Sequence, residues 1–128
     1  MTRAYLAFTE KGLALAQKLA SALPGTVARC GHGGPGLADW AAEQFAHADA
    51  LIFVGAVGIA VRAIAPHCRS KAVDPAVVVL DECGHFAVPI LSGHLGGAND
   101  LARALAAVCG AVPVITTATD AHGIFAVD

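Results

Sequence analysis

The sequence contains few charged residues and few aromatic ones. Charged residues make up 14% of the 128 positions and aromatic residues 5%, and the eight Lys and Arg are scattered along the chain. Because a nucleic-acid partner requires a basic surface that neutralises phosphates, this composition argues against one. The longest apolar run, residues 50–61, is shorter than the about 20 residues that span a membrane, so we expect no membrane segment.

Motifs for disulfides, metal binding and several kinds of catalysis are also missing. No two of the four cysteines form a Cys-x-x-Cys pair. Neither His67 with Cys68 nor Cys83 with His85 has the spacing of zinc ligands. The sequence contains no Walker motif, no G-x-S-x-G elbow and no signal peptide. We therefore expect free thiols, no protein-bound metal and a cytoplasmic location.

Apolar residues fill 56% of the positions, and short apolar runs alternate with segments of helical spacing. Strands are predicted at residues 4–8, 26–29, 50–54, 77–81, 86–89, 112–115 and 124–127. Helices are predicted at residues 13–23, 37–45, 59–65 and 101–108, and a hairpin turn at residues 82–85. This order predicts one α/β domain over residues 1–128, with three layers: a mostly parallel open sheet, helices on both faces and one β-hairpin.

Four polar loops rich in glycine and hydroxyl side chains interrupt this pattern, at residues 9–12, 55–58, 92–99 and 116–120. Ligands of open α/β sheets bind beyond the carboxyl ends of the strands, so we expect all four loops at one edge of the sheet. Three of them precede a helix, where unpaired N–H groups and the helix dipole attract carboxylate or phosphate. The alternative for each loop is an ordinary turn or helix cap.

The candidate functional residues in and beside these loops form two groups. His94 is the predicted general base or proton shuttle, with Glu10 and Asp120 as acid or base partners. The predicted binding residues offer N–H groups, hydroxyls, an amide or a guanidinium: Thr9, Gly55, Gly58, Arg62, Ser92, Gly96, Gly97, Asn99, Thr116 and Thr117. Structural alternatives stay open. His94 then pins its loop to the backbone, Glu10 starts a helix, Asp120 forms an Asx turn, and Asn99 or Asp100 caps a helix.

Residues 31–36, with the sequence GHGGPG, fit the dinucleotide fingerprint G-x-G-x-x-G. They follow the second predicted strand rather than the first, and Pro35 suits the turn of that motif poorly. A flexible loop is therefore the favoured interpretation, and a nucleotide site is the alternative.

Several stretches of the chain together resemble one known family. They are FTEKG at residues 8–12, GAVGIAVR at 55–62 with IAP at 64–66, DPAVVV at 74–79 with Asp81, LSGHLGGAN at 91–99, PVITTATD at 113–120 and FAVD at 125–128. The resemblance is to CbiG, the cobalt-precorrin-5A hydrolase family of the anaerobic cobalamin pathway. It covers almost the whole chain except residues 31–36.

The resemblance implies an enzyme that opens the δ-lactone of a cobalt corrinoid and releases a two-carbon fragment as acetaldehyde. Such a substrate carries several acetate and propionate arms, so it is anionic, and cobalt arrives within it rather than as a cofactor of the protein. Family members also have a middle segment and a second α/β domain beyond the part that resembles this chain. We therefore expect a carboxyl-terminal CbiG-type domain, or a second copy of the chain, to complete the site, and activity of this chain in isolation stays open.

The chemistry of lactone opening suggests roles for the candidate residues. The reaction needs an activated water and donors aimed at the carbonyl oxyanion. We expect His94 to activate the water, and the N–H groups of Gly96 and Gly97, or those of residues 55–58, to be the donors. Two other functions stay open: a non-catalytic module that binds or carries the corrinoid, and a nucleotide-binding domain.

Overall fold

The structure is a computed structural model that describes residues 1–93 and 96–117. Within these residues the chain forms six strands, four α-helices and one 3₁₀ turn. In chain order they are β1 (Arg3–Ala7), α1 (Glu10–Ala22), β2 (Thr26–Arg29), α2 (Leu37–His47), β3 (Ala50–Val54), α3 (Val57–Ile64), the 3₁₀ turn (Ala65–His67), β4 (Ala76–Leu80), β5 (Phe86–Leu91), α4 (Ala98–Cys109) and β6 (Val112–Pro113). No helix in the described part of the chain is long and apolar enough to cross a membrane.

The strands form one sheet with the order β2-β1-β3-β4-β5-β6. Strands β1 to β4 run parallel to one another, β5 pairs antiparallel with β4, and β6 runs parallel to β5. We call the edge where β1 to β4 end the carboxyl edge, and the opposite edge the amino edge. The prediction of a mostly parallel sheet with one hairpin is confirmed.

The core lies on both faces of the sheet, because the central strands carry apolar side chains at every position. Helices α1 and α4 pack on one face, against a cluster that includes Tyr5, Ile52 and Val78. Helices α2 and α3 pack on the other face, where Trp40 meets Phe53 edge to face at 5.3 Å between ring centroids. Side chains of one strand alternate between the two clusters, so three layers result.

Most element boundaries lie within a few residues of the predicted ones, with two informative differences. Helix α4 begins at Ala98, so Asn99 and Asp100 lie inside its first turn, and the prediction that either caps the helix is wrong. The N-cap is Gly97 at φ 82°, a left-handed conformation that favours glycine. Strand β6 is shorter than predicted, and the predicted strand at residues 124–127 lies outside the described residues.

The expectation that four loops share one edge of the sheet is wrong. The loops after β1 and β3 lie at the carboxyl edge, but β5 and β6 run in the opposite direction, so the loops after them emerge at the amino edge. The physical reason is the hairpin at residues 82–85, which reverses the chain. The two edges are separated by the length of a five-residue strand, roughly 17 Å.

Candidate functional site

The carboxyl edge carries a cavity of about 330 Å³ between the ends of β1, β3 and β4. Its walls include Phe8, Gly55 and Ile59, and its rim includes Asp81 and Glu82. Strand order reverses between β1 and β3, and such a switch point is the usual ligand crevice of open α/β sheets. A Cβ atom on Gly55 would lie 2.8 Å from Cδ2 of Phe8, so glycine there allows the ring to close over the loop.

Four predicted binding residues lie at this edge or on the helix that leaves it. Thr9 is the N-cap of α1: its hydroxyl accepts from the N–H of Gly12 at 3.0 Å and donates to Glu82 Oε2 at 2.5 Å. Thr9 therefore acts as a cap and ties α1 to the β4–β5 turn. Gly55 precedes α3, and Gly58 and Arg62 are exposed residues of that helix.

Acidic side chains set the charge of the carboxyl edge. Glu10 is exposed in the first turn of α1, close in sequence to Thr9, and Asp81 and Glu82 follow β4. The nearby Lys11 donates to Cys83 Sγ at 3.1 Å, and this contact raises the pKa of Lys11 above its ordinary value. Negative charge at the cavity rim opposes the binding of a polycarboxylate.

The amino edge holds a second arrangement, built from the loop between β5 and α4. Ser92 is buried and has φ 59°, a conformation that is uncommon for a residue with a side chain. Its hydroxyl donates to the carbonyl of Asp74 at 3.1 Å, and its own carbonyl accepts from the N–H of Ala98 at 3.0 Å. The carbonyl of Gly93 accepts from the N–H of Asn99, also at 3.0 Å. The loop is thus folded back on the start of α4.

This loop meets the segment after β6. Asn99, which is buried, donates through Nδ2 to Oγ1 of Thr117 at 3.1 Å. A Cβ atom on Gly93 would lie 3.2 Å from Cγ2 of Thr117, and one on Gly96 would lie 2.4 Å from Cβ of Ser92. We call these packed residues the amino-edge cluster: Ser92, Gly93, Gly96, Gly97, Asn99 and Thr117.

The structure therefore brings the described residues of the third and fourth predicted loops together and separates them from the first two loops. Thr116 is exposed beside the cluster. His94 and Asp120 lie outside the described residues, but Gly93 and Gly96, which flank His94 in sequence, lie at the amino edge. Glu10 lies at the carboxyl edge, so the structure does not place it near the segment that contains the predicted base.

Sequence reasoning missed a residue that organises the amino edge. Asp74 is 8% exposed, and its two carboxylate oxygens accept from the backbone N–H of Arg69 at 2.9 and 3.1 Å. Its carbonyl accepts from Ser92, so Asp74 links the turn before β4 to the amino-edge cluster. Burial and the charge of Asp74 raise the pKa of Cys68 in the same turn. The DPAVVV stretch contains Asp74, which is the signal that could have found it.

Residues 31–36 do not form the phosphate-binding turn of a dinucleotide fold. They follow β2 at the side of the sheet, not β1. The N–H of Gly34 donates to the carbonyl of Gly31 at 2.7 Å, and the N–H of Gly31 donates to the carbonyl of Pro35 at 3.1 Å. These N–H groups therefore bond within the loop itself.

Metal ligands were not expected from the sequence. Within residues 1–93 and 96–117, no three side chains of His, Cys, Asp or Glu gather closely enough to hold a metal ion. All four cysteines are free thiols.

The strand order and the helices on both faces define a doubly wound α/β domain. A family model described as Cobalamin synthesis G N-terminal matches residues 39–120. The cobalt-precorrin-5A hydrolase of Salmonella typhimurium is 47% identical across 98% of this chain, and that of Priestia megaterium is 50% identical across 61%. A crystal structure titled as a cobalamin biosynthesis protein G homolog from Sulfolobus solfataricus superposes over 90% of the chain, with a TM-score of 0.75 and 27% identity.

The chain belongs to the Cobalamin synthesis G N-terminal family, as the resemblance implied. It spans 38% and 21% of the two hydrolases and 36% of the crystallised homolog. The matched residues include the whole described amino-edge cluster and the loop after β3, but neither Thr9 nor Glu10.

Proposed function

We propose that the chain is the amino-terminal domain of a cobalt-precorrin-5A hydrolase and that it binds the corrinoid at the amino edge of its sheet. The observation that carries this proposal is the amino-edge cluster, in which two loops distant in sequence pack on each other through Asn99 and Thr117. The curated relatives carry the name of this activity, and their similarity extends over these loops.

The chemistry of the amino edge suits a substrate with carboxylate arms. Helix α4 begins there, and its dipole favours an anion at that end. The side chains of Ser92, Thr116 and Thr117 add hydroxyl groups.

The catalytic roles are part of the same proposal. We assign the general base to His94 and the oxyanion donors to the N–H groups of Gly96 and Gly97. Water would add to the lactone carbonyl as His94 takes its proton, and the ring C–O bond would then break as His94 returns that proton to the departing alkoxide oxygen. Glu10 is not part of this assignment, because it lies at the other edge.

The proposal also covers the partner, the cofactor and the cellular compartment of the domain. The relatives are longer than this chain, which supports a carboxyl-terminal CbiG-type domain, or a second copy, as the partner that completes the site. Cobalt enters within the corrinoid, with no resident cofactor. The free thiols support a reducing compartment such as the cytoplasm.

The test is a titration of the chain with cobalt-precorrin-5A, followed by the absorbance of the corrinoid, with acetaldehyde measured in the same samples. We expect saturable binding, and weaker binding of a corrinoid whose carboxylates are amidated, because the site recognises charge. Release of acetaldehyde would mean that the chain alone completes the site, and binding without release would mean that catalysis requires the partner. Absence of binding, or equal binding of the amidated corrinoid, would contradict the proposal.

A further inference from the structure

The helical layers cover the sheet unequally at β5 and β6. Helix α4 packs on both strands, on the same side of the sheet as α1. On the opposite side, α2 packs on β3 and α3 packs on β4, and no helix of residues 1–93 or 96–117 packs across β5 and β6 there. The described chain therefore has three layers over β3 and β4 but two layers over β5 and β6.

The side chains on this uncovered side are apolar. Val88 pairs with Val79, which packs in the cluster of α2 and α3, and this pairing fixes the side that Val88 occupies. Phe86 lies two residues before Val88, on the same side, and its register partner in β6 is Val112. Val114 follows Val112 at the same spacing. We call these four residues the open face: Phe86, Val88, Val112 and Val114.

The exposure of the open face is unusual for a sheet. Phe86 and Val112 lie side by side and are 51% and 56% exposed, whereas large apolar side chains on a sheet face normally pack on a second layer. Helix α3, which packs on the neighbouring strand β4, adds Val57 and Val61, one turn apart and 41% and 45% exposed. Residues 86–91 and 112–114 include no charged side chain. The open face therefore suits an apolar protein surface.

The lengths of the relatives point to what covers this face. The hydrolase of Salmonella typhimurium matches 98% of this chain, yet the chain spans only 38% of that hydrolase. The family model is described as N-terminal, so most of the additional sequence of the longer relatives follows the matched part. Strand β6 is the last described strand, and it borders the open face. The additional sequence thus follows the strand at which the helical layer is missing.

We propose that the open face is the docking surface for the carboxyl-terminal CbiG-type domain, which supplies the missing layer over β5 and β6. This inference rests on the proposed function, which makes the chain an amino-terminal domain. The partner presents an apolar, uncharged surface to Phe86 and Val112. The open face also reaches the amino-edge cluster, because Val114 lies three residues before Thr117. A domain docked there lies beside the proposed corrinoid site and can complete it.

The test compares the accessibility of the open face in this chain and in the Salmonella typhimurium hydrolase. Val112→Cys is made in the chain, and cysteine is placed at the aligned position of the hydrolase. The rate of reaction of that thiol with N-ethylmaleimide is measured by mass spectrometry that resolves each cysteine. We expect the thiol to react about tenfold more slowly in the hydrolase, because the docked domain shields it from the reagent.

Lys18→Cys is the control, because Lys18 is exposed on α1, on the other face of the sheet. We expect this thiol to react at the same rate in the chain and at the aligned position of the hydrolase. Phe86→Cys repeats the comparison at the register partner of Val112, and it decides if Val112→Cys does not fold by circular dichroism.

The outcomes separate this inference from the proposed function. Equal rates in the two proteins at both open-face positions would overturn the docking surface. Slow reaction at these positions in the isolated chain would overturn it as well, because a second copy or residues 118–128 would then cover the face. The labelling uses no corrinoid, so the proposed function fails by a different observation, the absence of corrinoid binding in the titration.

Discussion

At the scale of single residues, Gly96 occupies the tightest position of the amino-edge cluster. A Cβ atom there would lie 2.4 Å from Cβ of Ser92 and 3.0 Å from its carbonyl oxygen. We therefore expect Gly96→Ala to lower the free energy of unfolding by about 2 kcal/mol, as overpacking does. Urea denaturation followed by circular dichroism measures this value.

Gly58→Ala is the matched control for that substitution. Gly58 is an exposed residue inside α3, and nothing lies within 4 Å of the Cβ position. Alanine there favours the helix, so we expect stability to rise by about 0.5–1 kcal/mol. A Gly96→Ala chain as stable as the parent would contradict the packing described for the cluster.

The ionisation of Asp49 makes the stability of the fold depend on pH. Its carboxylate accepts from the N–H and the hydroxyl of Thr2, and these hydrogen bonds lower the pKa of Asp49 below its ordinary value of 3.8. The ionised group therefore stabilises the fold above that pH, and the stabilisation is lost as pH falls through the lower pKa of the folded state. We expect urea denaturation to show a smaller loss of stability below pH 3.8 for Asp49→Asn than for the parent. Equal losses would contradict this role.

At the scale of elements, the sequence predicts the strands well and their directions less well. Strands β3 and β4 are continuous apolar runs because both their faces are buried, and periodicity detects such runs directly. The edge strand β6 is short and exposed, so the hydrophobic pattern of the sequence could not predict where it ends. The positions of the later loops follow from the direction of β5, which the predicted hairpin already implied.

A hydrogen bond between Asn99 in α4 and Thr117 after β6 joins two loops of the amino edge. Thr117→Val removes the hydroxyl that accepts from Asn99 Nδ2 and keeps the shape of the side chain. We expect a loss of about 1 kcal/mol of stability, as for one net hydrogen bond. Thr116→Val, at the exposed neighbouring position, should change stability by less than about 0.5 kcal/mol. Thermal melting of both variants measures the difference, and equal melting temperatures would argue against the contact.

At the scale of the whole molecule, the sheet separates two sets of loops that look alike in sequence. Glycine and hydroxyl residues are common to both edges, so composition alone could not tell which loops act together. The family resemblance covered both edges, and only the topology divides them.

The central claim is that the corrinoid binds at the amino edge. Hydrogen exchange of the chain, measured by mass spectrometry with and without cobalt-precorrin-5A, tests it most directly, because it reads both edges in one experiment. We expect slower exchange in peptides that cover residues 92–99 and 114–117, and unchanged exchange in those that cover residues 8–12 and 55–62. Protection confined to residues 8–12 and 55–62 would place the ligand at the carboxyl edge and contradict the account.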